Sequence, residues 1–201
     1  MRVFLVFFIL VANSVEGQNI LIVGNYEPLC LPIHGDSTNS LSDSLNLINY
    51  EGVLIFSTAN STFSDSDISR ITAYLEQGGS IYIGADNWPL NSELDQISDH
   101  LYKKRSFGNY EVVNASSENT HGNLRLNELD TLPAGKSTRA FPLDPRLKVE
   151  AWVNDEPLIQ SGFVGKGRIV IDGGYSRFYC QHANEKSDLI FERILEFLIF
   201  R

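Results

Sequence analysis

The side chains best suited to chemistry fall at a few places along 201 residues. Cys30 and Cys180 are the only cysteines, with His34 four positions after the first and His182 two after the second. Two thiols in an oxidising compartment most simply close a disulfide. The loop so joined would hold about 150 residues, stabilising by at most about 5 kcal/mol in the chain-entropy account. One alternative is a tetrahedral zinc site built from Cys30, His34, Cys180 and His182, although this spacing matches no standard zinc motif. Another is a thiolate–imidazole pair of Cys180 with His182 or His34, which requires one cysteine to stay free.

A second group follows the apolar run Ile81-Tyr82-Ile83-Gly84, where the chain reads Ala85-Asp86-Asn87-Trp88-Pro89. Asp86 there could serve as a general base or metal ligand, and Trp88 as an apolar or sugar-stacking platform. The plainer alternative has Asp86 and Asn87 closing a turn or capping the next helix while Trp88 covers the core. A third group, Gly173-Gly174-Tyr175-Ser176-Arg177, ends another apolar run. Its glycines would admit a phosphate or carboxylate to the backbone with Arg177 as counter-ion, or simply make a tight turn. Glu27, Asp36, Asp86 and Asp172 also end or follow strand-like runs. A carboxylate pair for hydrolysis could be drawn from them, but their separations are not set by sequence. His100 and His121 read as solvated.

The elements that must position these groups alternate in type. Ile20–Gly24, Val53–Phe56 and Ser80–Gly84 are short continuous apolar runs, as in strands buried on both faces. Leu41, Leu45 and Ile48 give a weak helix signal after a polar loop. Ser64-Asp65-Ser66-Asp67 opens a clearer helix, Ser64 capping and Asp67 completing an acidic variant of the capping box. Its inward stripe is Ile68, Ile71 and Leu75, and Gly78-Gly79 stop it. A further helix carries Leu94, Ile97 and Leu101, and ends in Lys103-Lys104-Arg105, favourable at the negative end of the helix dipole. Tyr110–Val113 reads as a strand, and 114–145 as a polar, irregular excursion over one edge. Leu147–Val153, Pro157–Val164 and Arg168–Asp172 then read as strands joined by turns at Asn154-Asp155 and Gly165-Lys166-Gly167. The last helix runs from about Glu185 to Phe200 with Ile190, Ile194, Phe197 and Leu198 on one face. This alternation predicts an α/β fold: a flavodoxin-like three-layer sandwich, its sheet mostly parallel with an antiparallel edge hairpin.

At the N-terminus, Met1-Arg2 precedes Val3–Ala12, the n- and h-regions of a secretory signal. That run is short of the span that about 30 Å of hydrocarbon requires. Residues 1–17 are therefore read as a signal peptide and 18–201 as one domain, with a buried strand or a retained anchor as alternatives. Loss of Arg2 and Glu16 leaves the net charge at −9. This balance argues against nucleic acid and anionic membranes as partners and is compatible with cationic ones, including Ca²⁺. The acids are scattered, however, as on an ordinary solvated surface. Asn60-Ser61-Thr62 and Asn114-Ala115-Ser116 are N-glycosylation sequons if the source is a eukaryote. No residue pattern asks for a cofactor, and oligomeric state is not encoded legibly.

Three segments in order carry a family resemblance: Tyr50–Phe56 leading into Ser64–Gly79, then Gly79–Gly84, then Gly165-Lys166-Gly167-Arg168-Ile169-Val170-Ile171-Asp172-Gly173-Gly174. Together they resemble the class I glutamine amidotransferase-like superfamily, nearest its ThuA-like and non-catalytic accessory branches, over roughly residues 19–201. Amidotransferases of that superfamily carry Gly-x-Cys-x-Gly at the third-strand turn and a later His-x-Glu. Here the nucleophile position falls near Ala85 or Asp86, and His182 has Asn184 two residues on. The resemblance thus implies the fold without amidotransferase chemistry. The expected function is a secreted, non-catalytic domain that binds an extracellular protein, glycan or matrix component through Asp86, Asn87, Trp88 and Arg177. The alternative is a secreted hydrolase or sugar-processing enzyme using Asp86 with a second carboxylate or His182. A structural role in an acidic extracellular matrix is a further possibility.

Overall fold

The computed structural model describes residues 19–24, 29–31, 33–41, 45–56, 63–85, 96–97, 114–118, 120–129, 131–135, 138 and 144–199. The signal segment 1–17, the strand expected at Tyr110–Val113 and most of the helix expected around Leu94–Leu101 lie outside them.

Three buried strands come first in the sheet: β1 (Ile20–Gly24), β3 (Gly52–Phe56) and β4 (Ser80–Gly84). Each is buried at every position, so their unbroken apolar runs follow from having both faces covered. A short strand β2 (Asp36–Thr38) pairs parallel to β1 at the outer edge. The sequence gives no sign of β2, because three small, polar and mostly exposed residues carry no alternation. The expected helix through Leu41–Ile48 is, among the described residues, only a 3₁₀ turn at Leu47–Asn49.

Helix α1 (Asp65–Glu76) begins as its sequence predicts. Ser64 Oγ accepts the Asp67 N–H at 3.1 Å and the Asp67 carboxylate accepts the Ser64 N–H at 2.9 Å. Gly78 ends the helix at φ +106°, a conformation that glycine adopts without strain. Ile68, Ile71, Tyr74 and Leu75 face the sheet.

The later strands are β7 (Leu147–Val153), β8 (Glu156–Val164) and β9 (Gly167–Asp172). β9 pairs parallel to β4, and β8 and β7 follow antiparallel, giving the order β2-β1-β3-β4-β9-β8-β7. This is the expected flavodoxin-like α/β arrangement with an antiparallel edge. Helix α2 (Glu185–Leu198) is capped by Asn184, whose side chain accepts the N–H groups of Lys186 and Ser187. Ile190, Phe191, Ile194, Leu195 and Leu198 are buried against the sheet face opposite α1. Phe197, expected in that stripe, lies at the rim instead, edge-on to Phe163 with centroids 5.8 Å apart.

The excursion contributes a two-stranded ladder, β5 (Asn114–Ala115) with β6 (Leu132–Pro133). Leu124, Leu126, Leu132 and Ala134 join the core on the α2 side. The excursion also reaches the sheet's edge. Ser116 and Trp152 exchange backbone hydrogen bonds of 2.9 and 2.7 Å, so the outer side of β7 is partly paired. β7 itself carries register shifts between Val149 and Trp152. Leu147 consequently packs on the α1 side, whereas Ala151 and Val153 pack on the α2 side.

Candidate functional site

Ligands of open α/β sheets settle at the C-terminal ends of the parallel strands, where the order reverses. In this sheet that reversal falls between β1 and β3. Asp172, the last residue of β9, stands at that end, and the hydroxyl of Tyr82 reaches it from the middle of β4; both residues are buried. Asp172 Oδ2 accepts a 2.6 Å hydrogen bond from Arg177 Nη1 and a 2.9 Å one from the Tyr82 hydroxyl. Its other oxygen accepts the Gly174 N–H at 3.0 Å. Arg177 sits on the 3₁₀ turn Tyr175–Phe178 immediately after β9 and retains 1% of its surface. Its Nε donates to the Pro133 carbonyl at 2.6 Å and its Nη2 to the Ala134 carbonyl at 3.3 Å.

Burial holds the Tyr82 phenol well above its ordinary pKa, and the neighbouring Asp172 charge pushes in the same direction. A neutral phenol next to a carboxylate acts as a donor. The set is therefore an ion pair with its oxygens supplied, the arrangement that makes a buried pair tolerable. Gly174 is part of the same fit, since a Cβ there would lie 1.9 Å from the Ala134 carbonyl oxygen.

The disulfide closes over this end. Cys30 and Cys180 are bonded, and the zinc alternative with His34 and His182 accordingly loses both sulfur ligands, as does the free-thiol pair. Next to the bond, Cys30 N–H donates to the Phe178 carbonyl at 2.9 Å and Leu29 forms an antiparallel bridge to Tyr179. The segment leaving β1 is thus fastened to the segment leaving β9, although β3 and β4 separate those strands in the sheet. His34 and His182 are both exposed.

The structure gives Arg177 a different employment from the one expected and settles what the glycine turn approaches. Arg177, expected as counter-ion to a ligand, is enclosed and paired with Asp172. The Gly173-Gly174 turn, read either as admitting a ligand or as a tight turn, admits the backbone of Ala134. Asp36, one of the four carboxylates considered for hydrolysis, lies on β2 and accepts a 2.9 Å hydrogen bond from the Tyr50 hydroxyl. Asn114 falls in β5. Glu27, Asp86, Asn87, Trp88 and the sequon at Asn60 lie outside the described residues.

A second region, unmarked by sequence reasoning, sits at the β7 corner. Residues 115–118 alternate buried and exposed, and so do 151–154, with Trp152 half-buried. Ala115, Ser117, Ala151 and Val153 point into the core. Ser116, Glu118, Trp152 and Asn154 turn outward and, with Asp155, line an open cleft of about 520 Å³. Asn154 and Asp155 both have positive φ, 48° and 62°, forming the tight hairpin turn that the sequence predicts. Beneath the corner, Glu150 is fully buried and accepts N–H bonds from Asn123 at 2.5 Å and Leu124 at 3.1 Å, and a hydroxyl bond from Ser161. Desolvation raises its pKa while those donors oppose the rise.

No family model matches the chain, and no curated protein does. Solved structures do. A cytoplasmic protein from Salmonella typhimurium superposes with a TM-score of 0.65 at 12% identity, over 90% of this chain and 98% of that one. A ThuA-like protein from Bacteroides uniformis gives 0.62 at 11% identity, over 94% of each chain. A β-galactosidase from Rahnella sp. R3 gives 0.61 at 11% identity, over 89% of this chain but 31% of its own length. The likeness is one of fold. It is consistent with the ThuA and glutamine amidotransferase-like architecture expected from the glycine and strand pattern.

Proposed function

We propose that the chain is a secreted binding domain of amidotransferase-like fold that works without catalysis, its partner an extracellular protein, glycan or matrix component. The observation that carries this reading is the use made of Asp172, Arg177 and Tyr82. These are reactive residue types at the ligand-binding end of such a sheet, yet each is committed to another and shut from solvent. A general acid or base must reach its substrate within about 3 Å or through one water, and an enclosed, fully bonded carboxylate does not. The disulfide adds a clamp between the loops that a catalytic site would need to open. Secretion is supported by the disulfide together with the apolar N-terminal run, and among the described residues no helix is long and apolar enough to cross a membrane. The same fold forms nearly the whole of the Salmonella protein and about a third of the β-galactosidase, and a shared fold does not by itself carry an activity. Non-catalytic descent within the superfamily is part of the proposal.

The test is affinity capture from the protein's native extracellular surroundings with the oxidised domain as bait, run beside a panel of chromogenic glycosides, esters and amides. The expected result is a saturable partner and no turnover. Hydrolysis of any panel member that disappears in Asp86→Ala would overturn the reading in favour of a hydrolase built on the third-strand turn.

A further inference from the structure

The β7 corner combines three features. Its outward face is rigid, because Ser116 and Trp152 hold each other by two backbone hydrogen bonds and the adjoining turn is tight. A half-buried indole lines an open cleft in which, among the described residues, every other lining side chain is polar. Among the described residues the ionisable side chains that line it, Glu118 and Asp155, are acidic and exposed, and no basic one does.

We propose that this corner docks a basic segment of a partner protein, one Lys or Arg side chain resting on the Trp152 indole with Glu118 and Asp155 as its counter-ions. The inference rests on the binding-domain reading and names the partner's chemistry. An indole face attracts a cation through its quadrupole, and Trp is the best of the aromatic side chains for this. The two carboxylates supply the complementary charge, and the chain's net charge of −9 favours approach of a cation from a distance. A neutral sugar would use the indole but leave both carboxylates without a counter-charge. A metal ion fits less well, since among the described residues no three His, Cys, Asp or Glu side chains gather to hold one. Each exposed ion pair contributes only about two- to fivefold to binding, so a single cation gives a weak complex and a run of them a useful one.

The probe is a labelled, end-blocked tetra-arginine peptide, followed by fluorescence anisotropy on the oxidised full chain at low and high salt. Binding that weakens with salt is expected, and Glu118→Gln with Asp155→Asn should weaken it about tenfold. Both positions are exposed, so folding is preserved. A control pair, Glu51→Gln with Glu76→Gln, removes the same charge from exposed positions elsewhere and should change affinity less than about twofold. Equal weakening by the two pairs, absence of peptide binding, or salt-insensitive binding displaced by a neutral oligosaccharide would each overturn the proposal. If a captured native partner binds the Glu118/Asp155 variant as well as wild type, this inference fails while the binding-domain reading stands. If neither form captures a partner, the broader reading fails with it.

Discussion

At the mouth of the parallel sheet, Asp172 and Arg177 meet at 2.6 Å with no exposed side-chain surface, whereas at the β7 corner Glu118 and Asp155 stand in solvent beside a half-buried indole. Both regions combine charge with aromatic rings. In the first, Tyr82 bonds to the carboxylate and the Phe178 ring lies against the guanidinium, and every polar atom of the ion pair that is described above has a protein partner. In the second, the same kinds of group are held apart and turned outward by strand alternation. Polar residues at the place where a fold usually binds are therefore not evidence of binding. What counts is whether the side chains still have bonding capacity facing solvent.

The sharpest way to break the contrast is to leave one charge of the mouth alone. Arg177→Met should cost about 3–5 kcal/mol in denaturant unfolding, because Asp172 would remain buried without its counter-ion. A loss below about 1 kcal/mol would mean that solvent already reaches this carboxylate and that the mouth is open. The next effect belongs to the clamp. Replacing Cys30 and Cys180 together by Ser should lower stability by about 2–4 kcal/mol and leave the far-ultraviolet spectrum unchanged.

Tyr82→Phe should cost about 1.5–3 kcal/mol, the range for a lost hydrogen bond to a charged group. Its pH dependence sharpens the assignment. The folded phenol has a raised pKa, so its contribution is complete below the unfolded value near 10 and is lost as pH climbs from there toward the folded value. The stability gap between wild type and Tyr82→Phe should accordingly narrow above about pH 10, and a gap that widened would place an ionised phenol in the folded state. The smallest effect is expected at the corner. Glu118→Gln with Asp155→Asn should shift unfolding by less than about 0.5 kcal/mol, since neither exposed side chain supports the fold. A stability loss of the mouth's size there would erase the distinction between the two regions.

Much of the parallel sheet is legible because strands covered on both faces must be apolar throughout, and three runs satisfy that condition. The disulfide is legible for a different reason: with two cysteines there is one possible intramolecular pairing. Arg177 stands out in sequence as a charged residue after a glycine turn, but two of its partners, Pro133 and Ala134, come from over forty residues earlier in an irregular stretch. Nothing local announces that approach. β7 misleads more actively. Regular alternation would set Leu147, Ala151 and Val153 on one face, and the irregularity near Glu150 divides them between two. Trp152, between the buried Ala151 and Val153, faces outward with Ser116 and Glu118, and its pairing with Ser116 comes from the irregular excursion, which strand alternation in β7 does not announce. Asp86, Asn87 and Trp88 lie outside the described residues and rest on the experiments above.

The bond between Cys30 and Cys180 also has a consequence for order in time. Its two halves are 150 residues apart, and the second follows the last strand of the sheet. During vectorial synthesis at about 5–20 residues per second, Cys30 must therefore wait on the order of ten seconds as a thiol before its partner exists. The first parallel strands have to find their places without the clamp. Oxidation can therefore close this clamp only after all the strands of the sheet have been synthesised.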